Sequence, residues 1–109
     1  MQCIGCEGFG THLDEAGAAA LHAQVPAWAR DGVRSIARVI RFGTFRDAFA
    51  LATRIALLAE DQGHHPDLEI GWGRLRIGLT THALGGLTSN DFVIAAHVDA
   101  MLDDGGGAR

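Results

Sequence analysis

Lysine and tyrosine are absent from this 109-residue chain, and cysteine, proline and tryptophan occur only twice each. Its nine basic residues are all arginines, spread among 13 acidic residues for a net charge of −4. Proteins that bind nucleic-acid backbones cluster their positive charge, and these arginines do not cluster. We therefore expect no direct nucleic-acid partner.

Long apolar runs are missing as well. No run approaches the roughly 18 residues of a membrane span, and the N-terminus lacks the charged-then-apolar pattern of a signal peptide. We expect no membrane partner and a cytoplasmic location. A composition of 48% hydrophobic and 20% charged residues is typical of a globular protein, and this length suits one domain.

The two cysteines, Cys3 and Cys6, form one CxxC motif near the start of the chain. A structural zinc site generally has four ligands, so this motif needs His12 or a second subunit to complete one. Thioredoxin-like CxxC motifs open a helix after a strand, and no strand signal precedes this one. We interpret three segments: a flexible extension over residues 1–10, a single domain over 11–103 and a disordered tail over 104–109.

Apolar spacing predicts three helices, and each has a Thr-x-x-Asp pattern of the capping-box type near its start. They extend over about 13–24, from Thr44 to Gly63, and from about Thr88 to 102, with Thr11 as the first capping residue. Alternating apolar residues predict strands over 33–42, 68–72 and 75–79, the last two as an antiparallel hairpin.

The predicted order is helix, one or two strands, helix, two strands, helix. Such an order favours an α+β domain, in which an antiparallel sheet carries its helices on one face. Trp28, just after the first helix, is interpreted as a core residue.

Candidate chemistry concentrates between Glu60 and Asp91, where three of the six histidines lie. They are the pair His64-His65, followed by Pro66, and His82. The ordinary pKa of histidine, about 6.5, lets an imidazole give or take a proton near neutral pH. Three histidines could alternatively hold a catalytic zinc ion.

The spacing of these residues resembles the signature of the pterin-4a-carbinolamine dehydratases. In that pattern an acid, His-His-Pro, an aromatic residue, a third histidine and an aspartate are separated by three, five, nine and eight residues. Here the pattern is met without insertion or deletion by Glu60, His64, His65, Pro66, Trp72, His82 and Asp91. The resemblance extends from about Leu13 to Ala100.

The resemblance implies a four-stranded antiparallel sheet with three helices on one face, in the order α-β-β-α-β-β-α, assembled into dimers or tetramers. It also implies loss of water from a 4a-hydroxytetrahydropterin to give a quinonoid dihydropterin. That reaction recycles the tetrahydrobiopterin cofactor of aromatic amino acid hydroxylases. The reaction needs no metal or organic cofactor in the family, which argues against the zinc alternative.

The site roles follow from the same resemblance. His64 and His82 look like the pair that transfers protons, and His65 resembles a position that mainly binds substrate. Glu60 matches a position that holds the pterin, although a solvated acid at a helix end is an equal alternative. Leu68 stands where an aromatic is often found, which alters the expected shape of the pocket.

Three further residues have open interpretations. Asp91 either orients a catalytic histidine or only caps the last helix, and both roles are compatible. Trp72 either lines the pocket or fills the core. Thr81 is a weaker candidate that offers a hydroxyl donor to the substrate.

A second function remains open, because dehydratase-like relatives also serve as non-enzymatic binding modules. The known examples are a dimerisation cofactor of a transcription factor and an assembly factor for RuBisCO. Such assembly relatives tend to lack the His-His-Pro block, so its presence at His64 to Pro66 favours the enzyme.

Overall fold

The structure is a computed structural model that describes residues 10–103. Within them, helices and strands follow in the order α-β-β-α-β-β-α. They are α1 (Glu15–His22), β1 (Ala29–Asp31), β2 (Ser35–Arg41), α2 (Phe45–Gln62), β3 (Asp67–Gly71), β4 (Arg74–Leu79) and α3 (Ser89–Asp103). A short 3-10 turn, His82–Leu84, lies between β4 and α3. The predicted extension with Cys3 and Cys6 lies outside the described residues except for Gly10, and the predicted tail lies outside them entirely.

The strands form one antiparallel sheet in the order β1-β2-β4-β3. The prediction of an α+β fold with a four-stranded antiparallel sheet and three helices is confirmed. The sequence had left open whether one or two strands precede α2. There are two, because the short strand β1 pairs with β2 through Ala29 and Ala37.

The core lies between the helices and one face of the sheet. Leu75, Ile77 and Leu79 of β4 alternate along the strand and are buried, and Ile36 and Ile40 of β2 pair with its two ends on the same face. Each such side chain, once buried, stabilises the fold by about 1.5–3 kcal/mol relative to an exposed one. The helices cover this face with apolar residues, among them Leu51 and Ile55 of α2 and Ile94 and Val98 of α3.

Local capping explains where the helices begin. The prediction of Thr11 as the first cap is wrong, because α1 begins after Asp14, whose carboxylate accepts a hydrogen bond from the Gly17 amide at 2.8 Å. The cap of α2 is confirmed, since the Thr44 hydroxyl accepts from the Asp47 amide at 3.1 Å.

Trp28 is buried in the core, as predicted. Its indole nitrogen donates to the Asp99 carboxylate of α3 at 2.9 Å. The same oxygen of Asp99 accepts from the Arg38 guanidinium at 2.5 Å. This contact explains how an arginine is accommodated on the face of β2 that otherwise carries Ile36 and Ile40, since charged groups are buried at low cost only when they are paired.

An ion pair at the surface joins α1 to the edge strand β1. The Arg30 guanidinium lies 2.9 Å from the Glu15 carboxylate and holds the pKa of that carboxyl below its usual range. Because the folded pKa is lowered, the stabilisation is present above the unfolded pKa of glutamate and is lost as the pH falls. Solvent screening keeps such a contribution small.

Candidate active site

His64 lies at the point where α2 turns toward β3. Gly63 takes a left-handed conformation, with φ of 69°, and its amide donates to the Ala59 carbonyl at 2.8 Å. This conformation ends the helix, as predicted, and directs the next residue inward. The His64 side chain is buried, and its Nε2 lies 2.6 Å from Oδ1 of Asp91.

Asp91 is fully buried in the first turn of α3, and hydrogen bonds reach both of its carboxylate oxygens. Its Oδ2 accepts from the Thr81 hydroxyl at 2.9 Å and from the Thr88 amide at 3.0 Å. An ionised carboxylate only accepts hydrogen bonds, so the third partner, His64, donates from a protonated Nε2.

The direction of the hydrogen bond between the hydroxyls of Thr81 and Thr88 also follows from counting the available hydrogens. Thr81 and Thr88 bring their hydroxyl oxygens within 2.8 Å of each other. Thr81 has one hydroxyl hydrogen and gives it to Asp91, so Thr88 is the donor and Thr81 the acceptor in this bond. A short hydrogen-bonded chain therefore extends from Thr88 through Thr81 and Asp91 to His64.

Asp91 makes the contacts expected of both of its open interpretations. It caps α3 through the Thr88 amide, and it holds the ring of His64. The hydroxyl of Thr88 had been interpreted only as a helix cap, and the structure instead directs it toward Thr81. No local pattern signals this contact, because it depends on how the loop after β4 folds back.

Thr88→Val tests the contribution of that hydroxyl. Valine keeps the shape of the side chain but removes the donor to Thr81, and we expect the free energy of unfolding to fall by about 0.5–1.5 kcal/mol. Urea unfolding followed by tryptophan fluorescence measures it. The exposed Thr11→Val is the matched control, expected to stay within about 0.5 kcal/mol of the wild type. Equal stability of the two variants would show that the hydroxyl chain does not stabilise the fold.

His65 and Glu60 form a second pair at the surface. Nε2 of His65 makes a short hydrogen bond to a carboxylate oxygen of Glu60, which lies in the last turn of α2. Both side chains are exposed. Glu60 is therefore a solvated acid at the helix end that also contacts His65. Binding of a substrate by either residue stays a prediction.

His82 follows Thr81 directly and begins the 3-10 turn. Its Nε2 lies 3.9 Å from the Asp67 carboxylate, which is too long for a hydrogen bond but within the range of an ion pair if the imidazole is protonated. Both side chains are largely exposed. No motif in the sequence marks Asp67 as a site residue, although it comes directly after the His-His-Pro block.

The three histidines are linked through neighbouring contacts at one end of the sheet. Because β3 and β4 are antiparallel, the start of β3 at Asp67 lies beside the end of β4, with Asp67 paired to Gly78. His64 reaches Thr81, the neighbour of His82, through Asp91. The segments 60–67 and 81–91 thus form the candidate active site.

Trp72 lies at the other end of the hairpin, in the turn between β3 and β4. Its side chain is 79% exposed, so the alternative that it fills the core is wrong. The five-residue step from Asp67 to Trp72 spans about 16 Å of extended chain. Within a single chain, Trp72 therefore lies away from the three histidines of the signature. Its part in substrate binding stays a prediction.

Other candidate sites are less favoured by the geometry. Leu68 is partly buried and packs against the core. An apolar cleft of about 180 Å³ lies between α1 and α3, lined in part by Leu21, Val25, Phe92 and Ala96, and includes none of the predicted site residues. Among residues 10–103, no group of three or more His, Cys, Asp and Glu side chains is arranged to hold a metal ion.

Comparison with known proteins agrees with the signature. The sequence profile of the pterin 4 alpha carbinolamine dehydratases matches residues 11–101. The chain belongs to this family. A relative from Chloroflexus aggregans, provisionally named a pterin-4-alpha-carbinolamine dehydratase, is 48% identical over 73% of this chain and 85% of its own length. A relative from Rubrobacter xylanophilus with the same provisional name is 40% identical over 92% and 94% of the two chains.

Solved structures agree on the fold of this dehydratase family member. A transcriptional coactivator/pterin dehydratase from Brucella melitensis superposes with a TM-score of 0.77 at 29% identity, covering 84% of this chain and 98% of its own. A pterin dehydratase-like RuBisCO assembly factor of the alpha-carboxysome gives a TM-score of 0.59 at 24% identity, over 76% and 93% of the two chains, which shows a shared fold alone. Within residues 10–103, no helix is both long and apolar enough to cross a membrane.

Proposed function

We propose that the protein is a 4a-hydroxytetrahydropterin dehydratase, which releases water and forms a quinonoid dihydropterin. The observation that carries this proposal is the buried pair of His64 and Asp91, beside His65 and His82 in a chain of this family. The quinonoid product would return to tetrahydropterin by reduction, so the role is pterin recycling. A cytoplasmic location stays a prediction from the sequence.

Dehydration requires two proton movements. The hydroxyl on carbon 4a must gain a proton to leave as water, and a ring nitrogen must lose one. Because Nε2 of His64 donates to Asp91, the other ring nitrogen, Nδ1, carries the lone pair in the neutral imidazole. We therefore assign His64 as the base that takes the proton from the pterin ring, held in this tautomer by Asp91.

His82 is then the acid that protonates the leaving hydroxyl. Its exposed imidazole lies 3.9 Å from the Asp67 carboxylate. At this distance the carboxylate would form an ion pair with the protonated imidazole. The opposite surroundings of His64 and His82, one buried and one exposed, suit opposite roles.

His65 and Glu60 are assigned to substrate binding. The amino-pyrimidine edge of a pterin presents N–H donors, which a carboxylate accepts well. Glu60 has two oxygens, so one can hold His65 while the other accepts from the pterin. Thr81 acts through Asp91 in this scheme, as a positioning residue.

The rate of dehydration of a 4a-hydroxytetrahydropterin, followed by absorbance, tests the proposal. We expect the wild type to accelerate the reaction over buffer, and His97→Ala, on α3 outside the signature, to match it within about twofold. A wild-type rate equal to that in buffer would end the dehydratase proposal.

A non-enzymatic binding function is the second candidate, favoured by the fold shared with a RuBisCO assembly factor. The intact His64-His65-Pro66 block favours the enzyme. Affinity capture distinguishes the enzyme from the binding module. The baits are the wild type and a variant in which His64, His65 and His82 are all alanine. A stoichiometric large partner retained by both baits supports a binding module.

The family resemblance also leads us to propose that the protein assembles as a homodimer or homotetramer. Within residues 10–103 the sheet of a single chain ends in open edges at β1 and β3, and open edges favour association.

A further inference from the structure

Within residues 10–103, the face of the sheet opposite the helices carries an excess of positive charge. Because side chains alternate along a strand, β4 presents Arg74, Arg76 and Gly78 on this face and its apolar residues to the core. On β2, Arg41 lies directly opposite Arg74. Like charges in directly opposed positions destabilise a sheet, so strand stability does not explain this cluster.

One carboxylate is shared by two of these arginines. Glu69 of β3 has one oxygen 3.3 Å from Arg76 and the other 4.0 Å from Arg74. Among residues 10–103, the Arg41 side chain makes no ion pair or hydrogen bond. Three guanidinium groups therefore surround one glutamate, and the cluster keeps a net positive charge.

Arg76 extends from this cluster toward the candidate active site. A Cβ atom added at Gly78 would lie 3.1 Å from Nη1 of Arg76 and 3.9 Å from Cβ of Asp67. The guanidinium thus lies over Gly78, in space that a side chain there would fill, and beside Asp67. The Asp67 carboxylate lies 3.9 Å from Nε2 of His82. Arg76 and His82 therefore approach Asp67 from opposite directions along β4 and the turn that follows it.

The contacts of Arg76 leave its guanidinium available to a ligand. Within residues 10–103, its ion pair is with Glu69 and engages Nη1. A guanidinium has five N–H donors, and the Arg76 side chain is 40% exposed, so further donors can reach a bound molecule. Asp67 does not cancel this charge, because in the proposed reaction it pairs with protonated His82.

We propose that Arg76 binds an anionic substituent of the substrate, so that this chain prefers a 4a-hydroxytetrahydropterin with a carboxylate or phosphate group on carbon 6. The planar fork of a guanidinium matches both anions. Carbon 6 is separated from carbon 4a by a single ring nitrogen. A pterin whose 4a hydroxyl faces His82 can therefore direct its carbon 6 substituent past Asp67 to Arg76.

The rest of the cluster supports the same preference. Arg41 and Arg74 lie further along the same face and add to the positive potential that attracts an anion. Arg76 is thus a specificity-determining residue, which binds the substituent and takes no part in the proton transfers. This inference rests on the proposed function and names the class of pterin that the site takes.

Binding of dihydropterins measures this preference separately from turnover. The ligands are 6-hydroxymethyl dihydropterin, its phosphate monoester and the dihydropterin 6-carboxylate, which share a ring and differ in the charge of the substituent. We expect the wild type to bind at least one anion about tenfold more tightly than the neutral ligand, the effect of one charge-assisted hydrogen bond. Isothermal titration calorimetry gives each Kd, and the anion with the larger preference identifies the substituent.

Substitutions of arginine locate the contact. Arg76→Gln should abolish the preference for the anion, and Arg76→Glu should reverse it, because a second carboxylate beside Glu69 repels the ligand. Arg46→Gln is the matched control, since Arg46 lies on α2 in the helical layer, and it should keep the wild-type preference.

Two results would overturn the role of Arg76 alone. They are equal Kd values for neutral and anionic ligands in the wild type, and a preference that survives Arg76→Gln. Both leave the dehydratase proposal standing, because the rate of dehydration is measured separately. Absence of binding by all three ligands would also overturn the inference, and the wild-type dehydration rate then shows whether the proposed function falls with it.

Discussion

Replacing His64 by alanine is expected to lower kcat for dehydration about 10²- to 10⁴-fold, the range over which a positioned acid or base accelerates proton transfer. His64 is the one histidine of the signature that is buried, and its tautomer is set by Asp91. A water molecule in its place would not hold a lone pair in a defined direction. Steady-state kinetics of the purified variant measures the loss.

His64→Gln separates the loss of chemistry from the loss of packing. Its amide keeps an N–H donor for Asp91 but has no titratable nitrogen. We expect kcat to fall as far as in His64→Ala, with a smaller loss in the free energy of unfolding. Adding His82→Ala should lower kcat by less than the product of the two single effects, because residues that act in one step are not additive. Folded variants with wild-type kcat would exclude His64 as the base.

Asp91→Asn is the second large expected effect, because it changes three hydrogen bonds at once. An amide has one acceptor oxygen and one NH2 donor, so either a group that now donates to Asp91 faces another donor or the His64 ring changes tautomer to accept from the amide. The free energy of unfolding should fall by about 1–3 kcal/mol, the cost of leaving a buried polar group unsatisfied. The rate should fall about 10²- to 10⁴-fold as His64 loses its tautomer.

Two measurements distinguish positioning of His64 from a purely structural role of Asp91. Urea unfolding gives the change in stability, and kcat measured well below the unfolding transition reports only folded protein. The exposed Asp103→Asn is the matched control and should change neither quantity appreciably. An Asp91→Asn variant that loses stability but keeps its kcat would leave Asp91 as a helix cap only.

Local sequence patterns were sufficient for most of the fold. The cap at Thr44 and the stop at Gly63 depend on hydrogen bonds within a few residues, so the limits of α2 could be predicted. The alternation of Leu75, Ile77 and Leu79 follows from one strand with a buried face. The cap of α1 was misplaced at Thr11, because two polar residues three positions apart, Thr11 and Asp14, are both plausible caps, and packing selects between them.

Side-chain environments were harder to predict. Trp72 could have been a core or a pocket residue, and it is exposed because its two-residue turn projects beyond the sheet. The contact of Asp67 to His82 has no local sequence signal, because it joins the start of β3 to the residues after β4. The exposure of Phe49 and Leu57 on α2 was equally hard to predict, since apolar spacing alone does not say which side of a helix the sheet will cover.

The order of residues alone settled the family, through seven positions at fixed spacing, and the number and sequence of helices, because both depend on short stretches of chain. Tertiary structure decided which partner each titratable side chain has. His64 and Asp91 are 27 residues apart and meet only because α2 and α3 pack on the same sheet. Hydrogen bonding in a buried site depends on distances of a few tenths of an ångström, and only the packed fold sets those distances.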